Sequence, residues 1–90
     1  MIEIKFGDGF VEVTGHAEYA EHGKDIVCSA VSATTALLAY QIGSWYDKKS
    51  GFFHIDYDDE PGVSRSLYAY QRFMIELEQQ YPKNLKVVIE

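Results

Sequence analysis

Polar and apolar positions alternate from the first residues. Ile2, Ile4 and Phe6 fall on one side, with Glu3 and Lys5 on the other, the period-two pattern of a half-buried strand. Gly7-Asp8-Gly9 then interrupts the pattern with residues that tolerate a tight turn. A return strand from about Phe10 to Thr14, with Val11 and Val13 opposite Glu12, closes an antiparallel hairpin and delivers Gly15 and His16 to its end. Residues 17–24 (AEYAEHGK) are too polar and too short for a secure helix, and Gly23 permits a hinge or a left-handed turn. The period then changes abruptly. Ile26 to Ile42 reads as a helix, with Asp25 as N-cap and Gly43 as its stop. This helix is apolar on more than one face, and its polar residues are mostly small, as expected of a central helix or one covered by a partner.

Trp45 and Tyr46 lead into a basic turn, Asp47–Gly51, followed by a strand Phe52–Tyr57. Phe53, Ile55 and Tyr57 share one face of that strand, and Phe52, His54 and Asp56 share the other, which places His54 outside a site. The acidic segment Asp58-Asp59-Glu60-Pro61-Gly62 breaks the strand. It lacks the spaced glycine and terminal glutamate of an EF-hand loop and reads as a solvated turn. A second helix runs from near Ser64 to Tyr81, ended by Pro82. Its stripe of Leu67, Tyr70, Met74, Leu77 and Tyr81 is core packing. Lys83-Asn84 turns the chain into a last strand, Leu85–Ile89. The expected order is β-β-α-β-α-β, an α+β domain with a mixed sheet packed against two main helices and no fixed strand order.

Composition narrows the class. Ninety residues suit one domain, and 47% apolar with 14% aromatic residues is enough for a core. One cysteine makes no internal disulfide, which fits a reducing cytoplasm. The first ten residues do not read as a signal peptide, and no apolar run has the length of a membrane span. A formal charge of −6 disfavours nucleic acid and suits a basic protein or peptide partner.

The chemistry gathers between Gly15 and Ser32. With Asp25 as N-cap, Cys28 is the third helical residue, where unpaired N–H groups and the helix dipole favour a thiolate. His16 and Cys28 border the same loop, so a strand end beside a helix start would bring imidazole and thiol together. The same residues also admit a packed, inert Cys28 and a His16 that merely ends a strand. Asp25 has a capping role that competes with a place in a triad. Ser32 lies one turn below Cys28 on the same helical face. His16, His22 and Cys28 lack the short ligand pairs typical of zinc, so no metal and no cofactor is expected.

Gly15-His16-Ala17, a loop ending Gly23-Lys24-Asp25-Ile26-Val27-Cys28, and Ser32 four residues on closely resemble the pattern of the ribosomal-processing cysteine protease family, Prp; Ser29 stands where that pattern has alanine. The resemblance implies a cysteine endopeptidase with Cys28 as nucleophile and His16 as acid/base partner. Gly15, Tyr19, His22, Gly23, Asp25 and Ser32 would then serve the substrate loop or support the site. It further implies a cytoplasmic homodimer that removes a short N-terminal extension from large-subunit ribosomal protein twenty-seven. The competing expectation is a non-catalytic homodimeric module that binds a basic ribosomal or other protein.

Overall fold

The computed structural model describes residues 1–21 and 23–90. Seven elements follow one another: β1 (Ile2–Gly7), β2 (Phe10–Thr14), α1 (Ile26–Ile42), β3 (Gly43–Lys49), β4 (Phe52–Tyr57), α2 (Val63–Gln80) and β5 (Leu85–Ile89). The five strands form one mixed sheet in the order β3-β4-β2-β1-β5. Its antiparallel pairs are β3–β4, β4–β2 and β2–β1, and β1–β5 is parallel. This is the expected α+β class, with both helices on one face of the sheet.

Alternation decides which side of the sheet is covered. Ile2, Ile4, Phe6, Val11, Val13, Phe53 and Ile55 are buried and pack with Val27, Val31, Leu38, Tyr70, Met74 and Leu77 of the helices. Burying each large aliphatic side chain of this set contributes about 1.5–3 kcal/mol. On the α2 stripe, Tyr70, Met74 and Leu77 are buried, while Leu67 and Tyr81 pack partly buried at its ends. Thr35 of α1 meets Tyr70 of α2 inside this core, with Oγ1 and the phenol oxygen 2.8 Å apart. Thr35 spends its one hydroxyl proton on the Val31 carbonyl at 2.6 Å. Tyr70 is therefore the donor of the pair. Burial pushes the Tyr70 phenol well above its ordinary range.

The chain holds one more strand than the hydrophobic pattern indicates. The segment expected as an approach to a basic turn is instead strand β3, and the turn shrinks to Ser50-Gly51. Helix α1 passes into β3 without a loop because Gly43 turns the chain against its own helix. A Cβ there would stand 2.6 Å from the Ala39 carbonyl oxygen, so only glycine fits. The hairpin β3–β4 returns the chain to the sheet end where α1 begins. That return supplies a second wall to the site.

On the helix-free face, His54 of β4 lies opposite Glu12 of β2. Its Nδ1 is 2.8 Å from a Glu12 carboxylate oxygen, and its Nε2 is 2.8 Å from one of Asp56. The two carboxylates favour the protonated ring and hold its pKa above the ordinary value despite partial burial. His54 sits outside the cleft described below, as its strand face indicates.

Candidate active site

Three segments converge where α1 starts. Asp25 caps the helix with extended backbone, and its Oδ1 accepts from the Cys28 N–H at 2.9 Å. The same carboxylate reaches outward. Its Oδ2 accepts from the N–H groups of Tyr19 at 2.9 Å and Ala20 at 3.3 Å. Asp25 is buried, and burial alone would raise its pKa. The backbone donors of Cys28, Tyr19, Ala20 and Val27 outweigh that and hold the carboxyl below its usual range. The N-cap expected from the sequence therefore also ties the preceding loop to the helix start. The Cys28 N–H faces Asp25 Oδ1, and the Ser29 N–H bonds the Asp25 carbonyl at 3.0 Å.

The donor to the sulfur comes from the strand side. Ala17, directly after His16, is buried, and its N–H points at Cys28 Sγ from 3.2 Å. The end of β2 and the start of α1 thus lie side by side, as the His–Cys pairing requires. Gly15 makes the approach possible. Its backbone is left-handed, with φ near 90°, and any Cβ would collide with the Met1 carbonyl. Its N–H bonds the Gly51 carbonyl at 2.9 Å, which ties the β2 end to the β3–β4 turn.

His16 and Cys28 both line a cleft of about 500 Å³ between α1 and the β3–β4 hairpin. Its floor is apolar, from Ile2, Val13, Val31 and Phe53, while Lys48 and Lys49 stand at its rim. A second hollow of about 640 Å³ opens on the loop side and shares His16, Cys28, Ser32 and Ser50 with the first. The two side chains therefore sit where the hollows meet, reachable by an extended chain from either side. Cys28 is half-buried and His16 exposed.

The other expected residues separate by distance from this junction. Ser32 is exposed and lines both hollows, while Asp25 and Gly23 line only the loop-side one. Tyr19 sets its ring edge-on against Tyr81, the residue that caps the end of α2, with centroids 5.3 Å apart. His22 lies outside the described residues. Among the described residues no group of three or more His, Cys, Asp or Glu side chains is placed to hold a metal ion. Two residues at the site carry little mark of it in the sequence. Gly51 lies directly against the His16 ring, and Asn84 donates from Nδ2 to the Ala17 carbonyl at 3.0 Å. A glycine in a predicted turn was the only signal for the first, and the second left none.

A capped helix start carrying a cysteine and a strand end carrying a histidine thus line one cleft on an α+β scaffold, the two side-chain types that thiol hydrolases use. The family model for cysteine protease Prp matches residues 1–86, and the chain belongs to that family. The ribosomal processing cysteine protease Prp of Bacillus subtilis is 29% identical over 90 aligned positions, spanning 84% of this chain and 80% of that protein. Its namesake from Mycoplasma genitalium is 53% identical over 32 residues, 36% of this chain and 32% of that protein. The fold is shared with the crystal structure of the ribosomal processing protease Prp from S. aureus in complex with a covalently linked product peptide. That match has a TM-score of 0.80 at 23% identity and covers 99% of this chain and 97% of that one.

Proposed function

We propose that this chain is a cysteine endopeptidase in which Cys28 attacks the scissile carbonyl and His16 manages the proton. Attack by sulfur forms the C–S bond and a tetrahedral oxyanion. Collapse then breaks the C–N bond, and His16 delivers the proton to the leaving amine. Water, deprotonated by the same imidazole, hydrolyses the thioester and frees the thiol. The observation that carries this reading is the junction itself: Cys28 on a capped helix start, its sulfur facing the Ala17 N–H, with His16 lining both hollows beside it.

The substrate in this reading is the N-terminal extension of large-subunit ribosomal protein twenty-seven, and the place of work is the cytoplasm. The relatives are ribosomal processing cysteine proteases, which supports that substrate class. A net charge of −6 suits attraction of a basic ribosomal protein. The whole chain acts as one domain in this reading. Leu37 and Tyr40, exposed along α1, support a homodimer.

The test is cleavage of a peptide spanning that extension. The wild type should cut it once, and Cys28→Ala and His16→Ala should each lose cutting while keeping the wild-type melting temperature. Cleavage that persists in Cys28→Ala ends the proposal. The rate should fall as salt is raised from about 50 to 500 mM if charge steers the encounter.

A further inference from the structure

Ala17 is gripped on both sides of its Cα by groups far from it in sequence. Its N–H faces the sulfur of Cys28 at 3.2 Å, and its carbonyl accepts from the side-chain amide of Asn84 at 3.0 Å. We propose that Asn84 is a positioning residue for the Cys28 sulfur, acting through Ala17. The proposal rests on Cys28 being the nucleophile.

Asn84 is suited to this because its own backbone is fixed. It sits between the end of α2 and the start of β5. Its N–H bonds the Tyr81 carbonyl at 3.0 Å, and its carbonyl accepts from the Ile2 N–H at 2.9 Å. The next residue, Leu85, is buried and paired in register with Ile2. The side-chain amide is therefore presented from the sheet, with little freedom of its own. Ala17 needs such a hold. Glu18, the following residue, has left-handed backbone with φ near 57°, a conformation that residues other than glycine resist. The bond from Asn84 fixes the peptide between Ala17 and Glu18, on the near side of that strained residue. The Asp25 carboxylate holds Tyr19 and Ala20 on its far side.

Released from Asn84, the Ala17 carbonyl loses its anchor and the Cα of Ala17 can shift, which carries the N–H on its other side off its aim at the sulfur. The chemistry of the grip is specific. An aspartate in place of Asn84 turns an oxygen toward the Ala17 carbonyl, and an alanine leaves that carbonyl unpaired. Neither change touches the cleft, because Asn84 does not line it.

The experiment compares wild type with Asn84→Ala, the near-isosteric Asn84→Asp, and Lys83→Ala as a neighbouring control. Three quantities are measured on the full chain: kcat and KM for the extension peptide, the rate of Cys28 alkylation by iodoacetamide at pH 7.5, and the ¹H–¹⁵N resonance of Ala17. In both Asn84 variants kcat should fall about 10- to 100-fold, with KM within about twofold, as expected for a misplaced nucleophile. Alkylation should slow severalfold, the Ala17 amide should shift, and Lys83→Ala should leave all three unchanged.

Variants that melt earlier but keep the wild-type kcat, alkylation rate and Ala17 resonance overturn the proposal, since they assign Asn84 to stability alone. If neither variant folds, the wild type decides. Alkylating Cys28 should shift the Asn84 side-chain amide resonances together with the Ala17 amide, and Asn84 resonances that stay put overturn the proposal. If the wild type cuts no peptide, the proposed function fails, while the alkylation and resonance measurements still judge Asn84.

Discussion

The imidazole of His16 rests on the bare Cα of Gly51: a Cβ at that position would stand 2.9 Å from Nε2 and 3.5 Å from both neighbouring ring carbons. The β3–β4 turn is thus the back wall of the histidine, and its lack of a side chain sets where the ring lies. Gly51→Ala should cost about 1–2 kcal/mol from its left-handed backbone, with φ near 71°, and should lower peptide cleavage by up to about 100-fold as the ring is pushed aside. Gly62→Ala is the matched control. Its φ is near 91°, so it carries similar strain, but nothing lies within 4 Å of the added carbon. Equal losses of activity in the two variants would show that strain, and not displacement of the ring, is responsible.

Asp25 ties stability to acid. Its folded pKa lies below the ordinary 3.8, so its contribution is present above that value and is lost as pH falls through the folded one. Asn at this position keeps one acceptor and sets an NH₂ among N–H groups that had carboxylate oxygens. Asp25→Asn should cost about 1–2 kcal/mol at pH 7. The gap to wild type should shrink once the pH is below about 3.8. Urea unfolding of both proteins at pH 7 and pH 3 checks this, and a gap of equal size at both would rule it out.

His54 works with the opposite sign. Partial burial lowers its pKa, but the hydrogen bonds and charges of Asp56 and Glu12 outweigh burial and raise it above 6.5. Its contribution is complete below about pH 6.5 and is lost as pH rises through the folded value. The wild type should lose about 1 kcal/mol or less on this account between pH 6 and pH 9. His54→Gln should lose measurably less over the same interval, as read from urea midpoints.

The Thr35–Tyr70 contact predicts an asymmetry. Tyr70→Phe leaves the Thr35 hydroxyl with its Val31 acceptor and should cost about 0.5–1.5 kcal/mol. Thr35→Val strands the buried phenol and should cost more, about 1–3 kcal/mol. Adding Tyr70→Phe to Thr35→Val should therefore recover stability. A double variant less stable than Thr35→Val contradicts the assignment of Tyr70 as donor.

Strands with one covered face were legible because burial writes a period of two into β1, β2 and β4. The helix start was legible too, since Asp25 needs only its own neighbours to act as a cap. Strand β3 was not. It is an edge strand in the sequence GSWYDKK, none of whose residues is buried, so no face of it has to be apolar. Its identity comes from pairing with β4, which leaves no local mark. His16 and Cys28 line one cleft because a strand end meets a helix start, and the sequence carries that in the short loop that joins the two. The supports of the pair were hidden for a different reason. Gly51 and Asn84 meet their partners across more than thirty intervening residues, and neither carries a side-chain type that advertises the contact.

The parallel pairing of β1 with β5 sets a schedule for biosynthesis. Residues of the His16–Cys28 junction leave the translating ribosome before Asn84 and the strand that anchors it. Until they do, the carbonyl of Ala17 has no partner and the first strand has an open edge. A nascent chain therefore lacks the Asn84 bond to Ala17, beside Cys28, until β5 has followed the rest of the sheet out.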